Sequence, residues 1–446
     1  MKALAAETLM TNASALNLAL IGYGTVGSGV ARILATQGES LAVRAGRPIN
    51  LRRVVVRDAS KAREYMPAGT EVSTDINSVL NDADIQLVVQ LVGGIDPAHD
   101  YMQKFLLAGK DIVTANKALL YQHGESLFQL AAKHDRTIGF EAAVAGGIPI
   151  ISAVTQALTA NQILSIEAIL NGTSNFILTQ MLDHDQTYDD VLKEAQALGY
   201  AEADPAMDVD GTDAAQKLSI LTQLAFSTRV PLESIVRQGI DSLELLDLQV
   251  AAELGYKIKL LATSRLHDGR LEISVQPTLI RSDRTIAQID GADNIVAVEG
   301  DAVGLTTFSG AGAGQLPTAS AVMADIIDYA VGRTKLTFQS ILRSMKQPAV
   351  PIQPQEELSR RYYLRFTVED RAHVVADIAD ILGRHEISIS SMRQDEPSCE
   401  ATAATGTARL VIMTHQTTEG RLRAADSELT KLACIQGKSI RLPVAD

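Results

Sequence analysis

Near its N-terminus the chain reads Leu16-Asn-Leu-Ala-Leu-Ile-Gly-Tyr-Gly-Thr-Val-Gly27. An apolar run typical of a buried strand leads directly into three glycines at the spacing GxGxxG, and residues 28–36 then have apolar side chains at helical spacing. This order predicts a Rossmann-type dinucleotide site, in which the helix N-terminus faces the pyrophosphate. We therefore expect an α/β fold with a doubly wound parallel sheet over residues 16–148. The residues expected at the cofactor are Gly22, Gly24, Thr25, Val26 and Gly27.

The end of the second predicted strand, residues 51–56, indicates which dinucleotide binds. A site for NAD usually has an acid here that holds the ribose 2′-hydroxyl, whereas basic residues suit a 2′-phosphate. This strand ends at Arg57 and Lys61 follows, although Asp58 lies between them and a surface arginine is the simpler alternative. We expect NADP(H) in preference to NAD(H). A buried strand over 85–92 ends at Gly93, where the backbone can also approach the cofactor.

An acidic segment reads Leu198-Gly-Tyr-Ala-Glu-Ala-Asp-Pro-Ala-Met-Asp-Val-Asp-Gly-Thr-Asp-Ala-Ala-Gln-Lys217. Pro205 and Gly211 predict a shaped loop, and the helical pattern that follows places Asp213 and Lys217 on one face. A lysine held by carboxylates and partly removed from water can give and take a proton, although such a pair is more often exposed. A calcium loop is excluded, because the alignment places Lys217 where a bidentate acid is needed.

Nine residues of this region resemble the signature of the homoserine dehydrogenase family in identity and spacing: Ala195, Gly199, Tyr200, Asp204, Pro205, Asp208, Gly211, Asp213 and Lys217. The resemblance extends over nearly the whole chain. It implies catalytic roles for Lys217, Lys117 and Asp213. It implies substrate binding by Glu202, Asp208, Asn171, Gly172 and Thr173. It also adds to the cofactor site Asn116, Lys117 and Gly312.

The reaction implied by this resemblance is the reversible, NADPH-dependent reduction of L-aspartate 4-semialdehyde to L-homoserine, in the aspartate-derived pathway to threonine and methionine. No cysteine precedes Cys399, so the nucleophile typical of aldehyde oxidation is missing, and no zinc-ligand spacing occurs. Reduction needs only positioning and a proton donor. Two alternatives stay open: a Rossmann oxidoreductase for another amino-acid aldehyde, and a non-catalytic nucleotide and amino-acid sensor.

A glycine-containing turn reads Phe140-Glu-Ala-Ala-Val-Ala-Gly-Gly-Ile-Pro-Ile-Ile151. Its carbonyl groups and single carboxylate suit a monovalent cation, although an ordinary strand-to-helix turn is the alternative. The segment closely resembles the sodium-binding turn of the family, which implies a structural sodium ion. The implied ligands are Glu141 and the backbones of Val144, Gly146 and Ile148. The family commonly has Glu where this chain has Gln90, and we expect the change to alter local hydrogen bonding.

The length of 446 residues predicts two or three domains. We expect a loose tail over 1–15, an α+β substrate-binding and dimerisation domain over 149–316, and a helix near 317–340 that completes the Rossmann domain. A proline-rich linker over 347–358 then leads to residues 359–446, whose predicted βαββαβ order resembles an ACT domain. The first loop of such domains usually has Pro-Gly after its acid. Here it reads Asp370-Arg-Ala-His373, which we expect to hinder an effector at this loop.

Charge and composition narrow the class of partner. A net charge of −13 without basic clusters argues against nucleic acid and anionic membranes. No apolar run approaches the roughly 18–20 residues of a membrane span. Two cysteines, Cys399 and Cys434, fit a reducing compartment. We expect a cytoplasmic homodimer or homotetramer that acts on a small-molecule substrate.

Overall fold

A computed structural model describes residues 14–201, 204–395 and 406–445. The expected loose tail up to residue 13, the candidate substrate ligand Glu202 and Cys399 lie outside the described residues. The chain divides into two compact units. The first consists of residues up to 163 with 216–231 and 294–349, and the second consists of 164–215, 232–293 and the residues from 350 onward.

The strands of the described residues are, in chain order, β1 (Leu16–Ile21), β2 (Ile49–Val55), β3 (Glu71–Ser73), β4 (Leu87–Gln90), β5 (Asp111–Thr114), β6 (Ile138–Gly139), β7 (Ile163–Ile169), β8 (Val236–Arg237), β9 (Tyr256–His267), β10 (Arg270–Arg281), β11 (Asp293–Gly300), β12 (Gly304–Ala311), β13 (Ser359–Glu369), β14 (Ile389–Asp395), β15 (Thr407–Thr414), β16 (Thr417–Thr418) and β17 (Ile435–Ala445).

The α-helices of the same residues are α1 (Thr25–Ala45), α2 (Asn77–Leu80), α3 (Ala98–Leu107), α4 (Lys117–Lys133), α5 (Ile150–Ser152), α6 (Gly172–Asp183), α7 (Tyr188–Ala197), α8 (Ala206–Val209), α9 (Thr212–Phe226), α10 (Leu245–Glu253), α11 (Gln315–Ala330), α12 (Arg333–Ser344), α13 (Val374–Arg384) and α14 (Glu419–Leu429). None of the helices in the described part of the chain has the length and apolar character needed to cross a membrane.

The first unit contains a parallel sheet in the order β3-β2-β1-β4-β5-β6. The order of the strands runs outward from β1 to β3 on one side and from β4 to β6 on the other, which is typical of doubly wound sheets. The predicted Rossmann-like fold is therefore confirmed. Helix α11 buries Ala319, Val322 and Ile326 against α1 and the sheet. The single helix expected near 317–340 is divided into α11 and α12, because Gly332 takes a left-handed backbone conformation with φ of 84°.

The second unit contains a long mixed sheet in which the strands follow the order β7-β9-β10-β17-β13-β15-β14. Strands β9 and β10 form a hairpin that pairs continuously from Tyr256–Arg281 to His267–Arg270. Helix α6 begins directly after β7, at the edge of this hairpin, and α8 and the start of α9 follow in the chain. The substrate region therefore contains antiparallel strands, as its expected α+β fold requires.

The C-terminal part of the second unit has the βαββαβ arrangement predicted for an ACT domain. Its strands lie in the order β17-β13-β15-β14, and one hydrophobic core joins them to α13 and α14. The last strand also pairs with β10 in parallel, at Leu279–Val444. Residues before β13 are held to β10 as well, since Leu271 donates its backbone N–H to the Pro351 carbonyl at 2.8 Å. The ACT strands are thus continuous with the sheet of the substrate region.

Candidate active site

The glycine-rich turn between β1 and α1 has the geometry that a dinucleotide requires. A Cβ atom at Gly27 would lie 2.5 Å from the Gly22 carbonyl oxygen, so only glycine permits this tight turn. A Cβ atom at Gly24 meets no protein atom within 4 Å, so its glycine is not required by packing within the protein. Thr25 and Val26 form the first turn of α1, whose unpaired backbone N–H groups can bind a pyrophosphate.

A cleft of about 620 Å³ extends from this turn along the ends of β2 and β4. Its volume lies within the range of cofactor and ligand sites. Five predicted cofactor residues line it, namely Gly22, Gly24, Arg57, Lys61 and Gly93. Sequence reasoning missed other lining residues, among them Tyr23 and Arg63. Two signals were available in the sequence: an aromatic residue between two glycines of the GxGxxG motif, and a third basic residue in the loop after β2.

Asp58, the first acid of the loop after β2, lines the cleft and is hydrogen-bonded within its own loop. The Asp58 carboxylate accepts hydrogen bonds from the Ser60 hydroxyl at 2.6 Å and the Ser60 backbone N–H at 3.0 Å. These two hydrogen bonds hold the pKa of Asp58 below its ordinary value, and the bond from the Ser60 hydroxyl has the larger effect. Arg63 fixes the same loop by donating to the carbonyls of Ala59 at 3.3 Å and Lys61 at 2.5 Å.

Buried polar side chains fix the edge of the sheet beside the cleft. Gln90 donates to the Val92 carbonyl at 2.7 Å and accepts from the Thr114 hydroxyl at 2.8 Å. Asn116 donates to the carbonyls of Val92 and Gly94 at 3.0 and 2.6 Å, while its oxygen caps α4. A glutamate at position 90 could not donate to Val92, which is the expected change in local hydrogen bonding. Lys117 is the first residue of α4 and is half-buried.

In the predicted sodium-binding turn, the Glu141 carboxylate caps a helix. The Glu141 side chain accepts backbone N–H groups of Ile151 and Ser152, each at 2.8 Å, and so caps the short helix α5. Burial raises its pKa, and these two hydrogen bonds oppose the rise. Among the described residues, the carbonyls of Val144 and Gly146 accept no backbone hydrogen bond. The Ile148 carbonyl accepts one from Ile150 at 2.8 Å.

This turn is in contact with the segment that contains Gly312. Gly147 donates its backbone N–H to the Ala311 carbonyl at 3.0 Å. Gly312 packs against the buried side chain of Asn294, so closely that a Cβ atom at Gly312 would lie 2.1 Å from it. No group of three or more His, Cys, Asp or Glu side chains in the described ranges could hold a metal ion. The predicted sodium site, with backbone carbonyls and the single Glu141 carboxylate, is not a cluster of that kind.

Asn171 is the centre of the predicted substrate side. Its side-chain oxygen caps α6 by accepting from the Ser174 N–H at 2.8 Å. Its amide nitrogen donates to the carboxylates of Asp208 at 2.8 Å and Asp213 at 2.9 Å. Thr173 donates to the Tyr200 carbonyl at 2.7 Å. The acidic segment and the turn after β7 are therefore brought together, as the resemblance implied.

Two further residues explain why this turn is held so firmly. A Cβ atom at Gly172 would lie 2.5 Å from the Ala292 carbonyl oxygen, so glycine is required there. Lys259, which is 2% exposed, donates to the Asn175 side chain at 2.9 Å and to the Asp290 carboxylate at 2.9 Å. Burial lowers the pKa of Lys259. The sequence analysis did not identify this lysine. The available signal was a cation within a predicted apolar strand.

Helix α9 carries the residues expected to act on protons. Asp213 lies in its first turn and is 4% exposed, and Lys217 is half-buried one turn later on the same face. Asp208 and Asp213, whose carboxylates accept hydrogen bonds from Asn171, therefore closely precede Lys217 in the chain. This grouping of an amide, two carboxylates and a lysine can orient a polar substrate and exchange a proton with it.

A Rossmann-like unit with a formed dinucleotide cleft, together with this polar grouping, defines a nicotinamide-dependent oxidoreductase. Family models agree with that class: one described as "Homoserine dehydrogenase, NAD binding domain" matches residues 22–141, one described as "Homoserine dehydrogenase" matches 149–327, and the ACT domain model matches 362–434. The chain belongs to the homoserine dehydrogenase family, and it is an oxidoreductase that acts on a CH–OH group.

Individual relatives show how far the similarity extends. The homoserine dehydrogenase of Neisseria gonorrhoeae is 42% identical over 94% of this chain and 96% of that protein. The crystal structure of a homoserine dehydrogenase from Thiobacillus denitrificans is 42% identical, covers 97% of this chain and 99% of that chain, and has a TM-score of 0.89. A hyperthermophilic archaeal homoserine dehydrogenase in complex with NADPH is 26% identical, covers 76% of this chain and 100% of that chain, and has a TM-score of 0.61.

Proposed function

We propose that this chain catalyses the reversible reduction of L-aspartate 4-semialdehyde to L-homoserine with NADPH, as a step of the aspartate-derived pathway to threonine and methionine. The observation that carries the proposal is the double hydrogen bond from Asn171 to Asp208 and Asp213, with Lys217 one turn further along the same helix. The relatives are homoserine dehydrogenases, which supports homoserine as the alcohol of the reaction.

The residues have distinct tasks in this proposal. The bound nicotinamide supplies the hydride to the aldehyde carbon. Lys217 donates a proton to the oxygen as negative charge develops there, and it accepts the proton in the reverse direction. Asp213 orients Lys217 or the reacting oxygen, and Lys117 polarises the substrate carbonyl. Glu202, which lies outside the described residues, binds the substrate ammonium group.

The remaining substrate-side residues supply orientation. Asn171 has two amide hydrogens, and they are directed at the carboxylates of Asp208 and Asp213. Gly172 and Thr173 form the first turn of α6, where backbone N–H groups can bind the substrate carboxylate. Positioning of this kind accounts for much of the rate enhancement that a simple reduction needs.

For the cofactor we propose a preference for NADP(H). Arg57 and Lys61 line the cleft at the end of β2 and suit a 2′-phosphate. Asp58, the acid that could instead hold a 2′-hydroxyl, has one of its two carboxylate oxygens engaged by Ser60. The archaeal relative was solved with NADPH. These observations support the phosphate-bearing cofactor.

We also propose a structural sodium ion at the turn of Glu141, Val144, Gly146 and Ile148. Each oxygen of the Glu141 carboxylate accepts one backbone N–H and keeps a further lone pair that can face the ion. A higher thermal midpoint in sodium chloride than in choline chloride of equal ionic strength would support this site, and equal midpoints would count against it. The active assembly is proposed to be a homodimer or homotetramer.

The central test is the rate of NADPH oxidation, followed by absorbance, with L-aspartate 4-semialdehyde. We expect Lys217→Ala to lower kcat by about 100-fold or more, because an acid/base residue contributes at least about 10²-fold. Lys193→Ala is the matched control, since Lys193 is 75% exposed on α7 and should leave the rate unchanged.

Other results would point to the alternatives. Turnover only with a different amino-acid aldehyde would replace the proposed substrate but keep the class of enzyme. Binding of NADPH without turnover of any aldehyde would favour the sensor.

A further inference from the structure

A buried lysine joins the substrate-side helix α6 to the loop before β11. Lys259 on β9 is 2% exposed. Its ammonium group donates to three acceptors, which are the Asn175 side-chain oxygen at 2.9 Å, the Ile289 carbonyl at 2.8 Å and the Asp290 carboxylate at 2.9 Å. A protonated lysine has three hydrogens, so each one has an acceptor here. Because an unpaired ammonium group is costly to bury, this arrangement compensates a cation that none of the proposed chemistry uses.

Only part of this arrangement is needed to neutralise Asp290. Lys257, two residues earlier on the same face of β9, also donates to the Asp290 carboxylate, at 2.9 Å, and its side chain is 29% exposed. Two cations therefore share one carboxylate, and the loss of either lysine leaves it paired. Among the described residues Lys257 has no hydrogen bond to α6, whereas Lys259 bonds to Asn175 in the first turn of that helix. The contact with Asn175 distinguishes the buried lysine from its more exposed neighbour.

Asn175 connects Lys259 to the backbone of the polar turn. It is 1% exposed, and its amide nitrogen donates to the carbonyls of Ile289 at 2.9 Å and Asp293 at 3.2 Å. With its oxygen on Lys259, the whole polar part of this side chain is fixed. Its backbone N–H donates to the Asn171 carbonyl at 3.2 Å, which closes the first turn of α6. Loss of Lys259 removes the donor of the buried Asn175 oxygen and so loosens this turn.

The loop before β11 contacts α6 at two further points. The Gly291 backbone N–H donates to the Thr179 hydroxyl at 3.1 Å, and a Cβ atom at Gly172 would lie 2.5 Å from the Ala292 carbonyl oxygen. Gly172 is a residue whose backbone is proposed to bind the substrate carboxylate. Groups that bind a substrate have to be held within about 0.5 Å of the productive geometry. Contacts this close make the position of the turn depend on the position of the loop.

We propose that Lys259 is a positioning residue for the aldehyde substrate, and that it acts through Asn175 by holding the first turn of α6 against the loop before β11. The substrate named here rests on the proposed function, whereas the hydrogen bonds of Lys259 do not. Lys259 differs from Lys117 and Lys217, because it contacts no reacting atom and exchanges no proton. Its loss should therefore weaken binding of the aldehyde, while the cofactor cleft, which residues of the first unit line, keeps its affinity for NADPH.

The KM values of Lys259→Met test this role, measured with L-aspartate 4-semialdehyde and NADPH. We expect the KM for the aldehyde to rise about tenfold or more, the loss of one hydrogen bond to a charged group, and the KM for NADPH to stay within about twofold. A role in folding alone would lower the fraction of folded enzyme, which reduces kcat and leaves both KM values unchanged. A rise of both KM values together in Lys259→Met, or of neither, overturns the proposal.

Lys257→Met is the matched control for the kinetics. It removes a cation from the same strand and the same carboxylate without touching Asn175, so both of its KM values should equal those of the wild type. Lys259→Met should fold, since Asp290 keeps Lys257 as a partner. A selective rise of the KM for the aldehyde in Lys257→Met as large as that in Lys259→Met would assign the effect to the shared carboxylate and overturn the proposal.

A second set of variants tests the path through Asn175. Asn175→Ala alone should raise the KM for the aldehyde as Lys259→Met does, so the test does not depend on the folding of one variant. Because both substitutions remove the same contact, the double variant Lys259→Met/Asn175→Ala should have about the KM of either single variant. Two increases that multiply in the double variant overturn the proposed path.

Hydrogen exchange separates this proposal from the proposed function, because it needs no turnover. In Lys259→Met the backbone amides of residues 175–179 in α6 should exchange about tenfold faster than in the wild type, since the loss of a supporting hydrogen bond favours local opening. Amides of residues 30–34 in α1 should exchange at the wild-type rate. Unchanged exchange in α6 overturns the positioning role whatever the substrate. Faster exchange in the variant, together with a wild type that reduces no L-aspartate 4-semialdehyde, would support the hold on α6 and reject the proposed substrate.

Discussion

Arg365 on β13 donates a hydrogen bond to Asp247 on α10 at 2.6 Å, with their side chains 3% and 0% exposed. Tyr363 donates to the same carboxylate oxygen at 2.9 Å, and Asp247 also accepts the Glu244 backbone N–H at 2.9 Å. A strand of the ACT domain and a helix of the substrate region therefore depend on one buried anion.

Replacing that anion should destabilise the second unit strongly. In Asp247→Ala the buried Arg365 guanidinium keeps only Glu244, whose side chain is 45% exposed, and the buried Tyr363 hydroxyl loses its acceptor, so we expect a cost of about 3–5 kcal/mol. We expect a corresponding fall in the free energy of unfolding, measured by chemical denaturation. The triple variant Asp247→Leu/Arg365→Met/Tyr363→Phe should recover much of this loss, because well-packed apolar side chains can replace a buried ion pair. Asp100→Ala, which removes an exposed pair with Lys104, should change stability by less than about 1 kcal/mol.

Asn171→Asp should impair activity through charge. The substitution keeps the cap of α6 but removes both donors and places a third carboxylate beside Asp208 and Asp213. We expect kcat/KM to fall about tenfold or more, since each hydrogen bond to a charged group contributes about 1.5–3 kcal/mol. Neighbouring negative charge raises the pKa of the new carboxyl, so activity should partly return as the pH is lowered and the group can donate again. A profile of kcat/KM against pH measures this.

A control for Asn171→Asp separates helix capping from substrate binding. Thr187 caps α7 by accepting the Asp190 N–H, and Thr187→Ala should cost about 1 kcal/mol of stability without changing kcat/KM. If Asn171→Asp retained wild-type activity at every pH, the proposed role of Asn171 would be wrong.

Cofactor preference should depend on the basic loop after β2. In Arg57→Ala/Lys61→Ala we expect the KM for NADPH to rise about tenfold or more while the KM for NADH stays within about twofold, because only NADPH has the 2′-phosphate. Arg44→Ala, at the exposed end of α1, should change neither value. Equal losses with both cofactors would show that these residues support the fold of the cleft instead of reading the phosphate.

The buried Glu141 carboxyl predicts a specific dependence of stability on pH. Burial raises its folded pKa above the ordinary value of 4.5. The stability associated with the protonated form is fully present below pH 4.5 and is lost as the pH rises through the folded pKa. As the pH rises through the folded pKa, the free energy of unfolding of the wild type should therefore fall relative to that of Glu141→Gln. The expected fall is about 1.4 kcal/mol for each unit by which burial raises the pKa of Glu141.

Urea denaturation across the acidic range measures the difference between wild type and Glu141→Gln. Glu125→Gln serves as the reference, because Glu125 is 47% exposed and should show no such trend. A difference between wild type and Glu141→Gln that stays constant with pH would show that the carboxyl ionises normally.

The sequence predicted the local parts of this structure well. The strand and glycines of residues 16–27 determine their own geometry, because turn, helix N-terminus and apolar run are adjacent in the chain. The placement of Asp213 and Lys217 one turn apart on one helix follows from helical periodicity alone. His373 stands where such loops usually have glycine, and its φ of 73° is a left-handed conformation that favours glycine.

Contacts between distant residues could not be read from the sequence. Asn171 meets Asp213 across 42 positions, and Lys259 meets Asn175 across 84, and no periodicity relates such pairs. The helix expected near 317–340 was interrupted at Gly332 because a single glycine in a helical pattern is compatible with either outcome. The position of β17 beside β10 also depends on tertiary packing, because strand order is not encoded in local pattern.

The placement of β17 between β10 and β13 has a consequence for biosynthesis. A ribosome delivers β7, β9 and β10 long before residues 435–445, so until then the end of β10 at Leu279 and Ile280 has unpaired backbone groups. Such edges recruit strands from other chains, and contacts between distant residues form slowly. The substrate region should therefore stay open to chaperones and to aggregation until its final neighbour has been synthesised, and nascent chains that stop within the ACT domain should be poorly soluble.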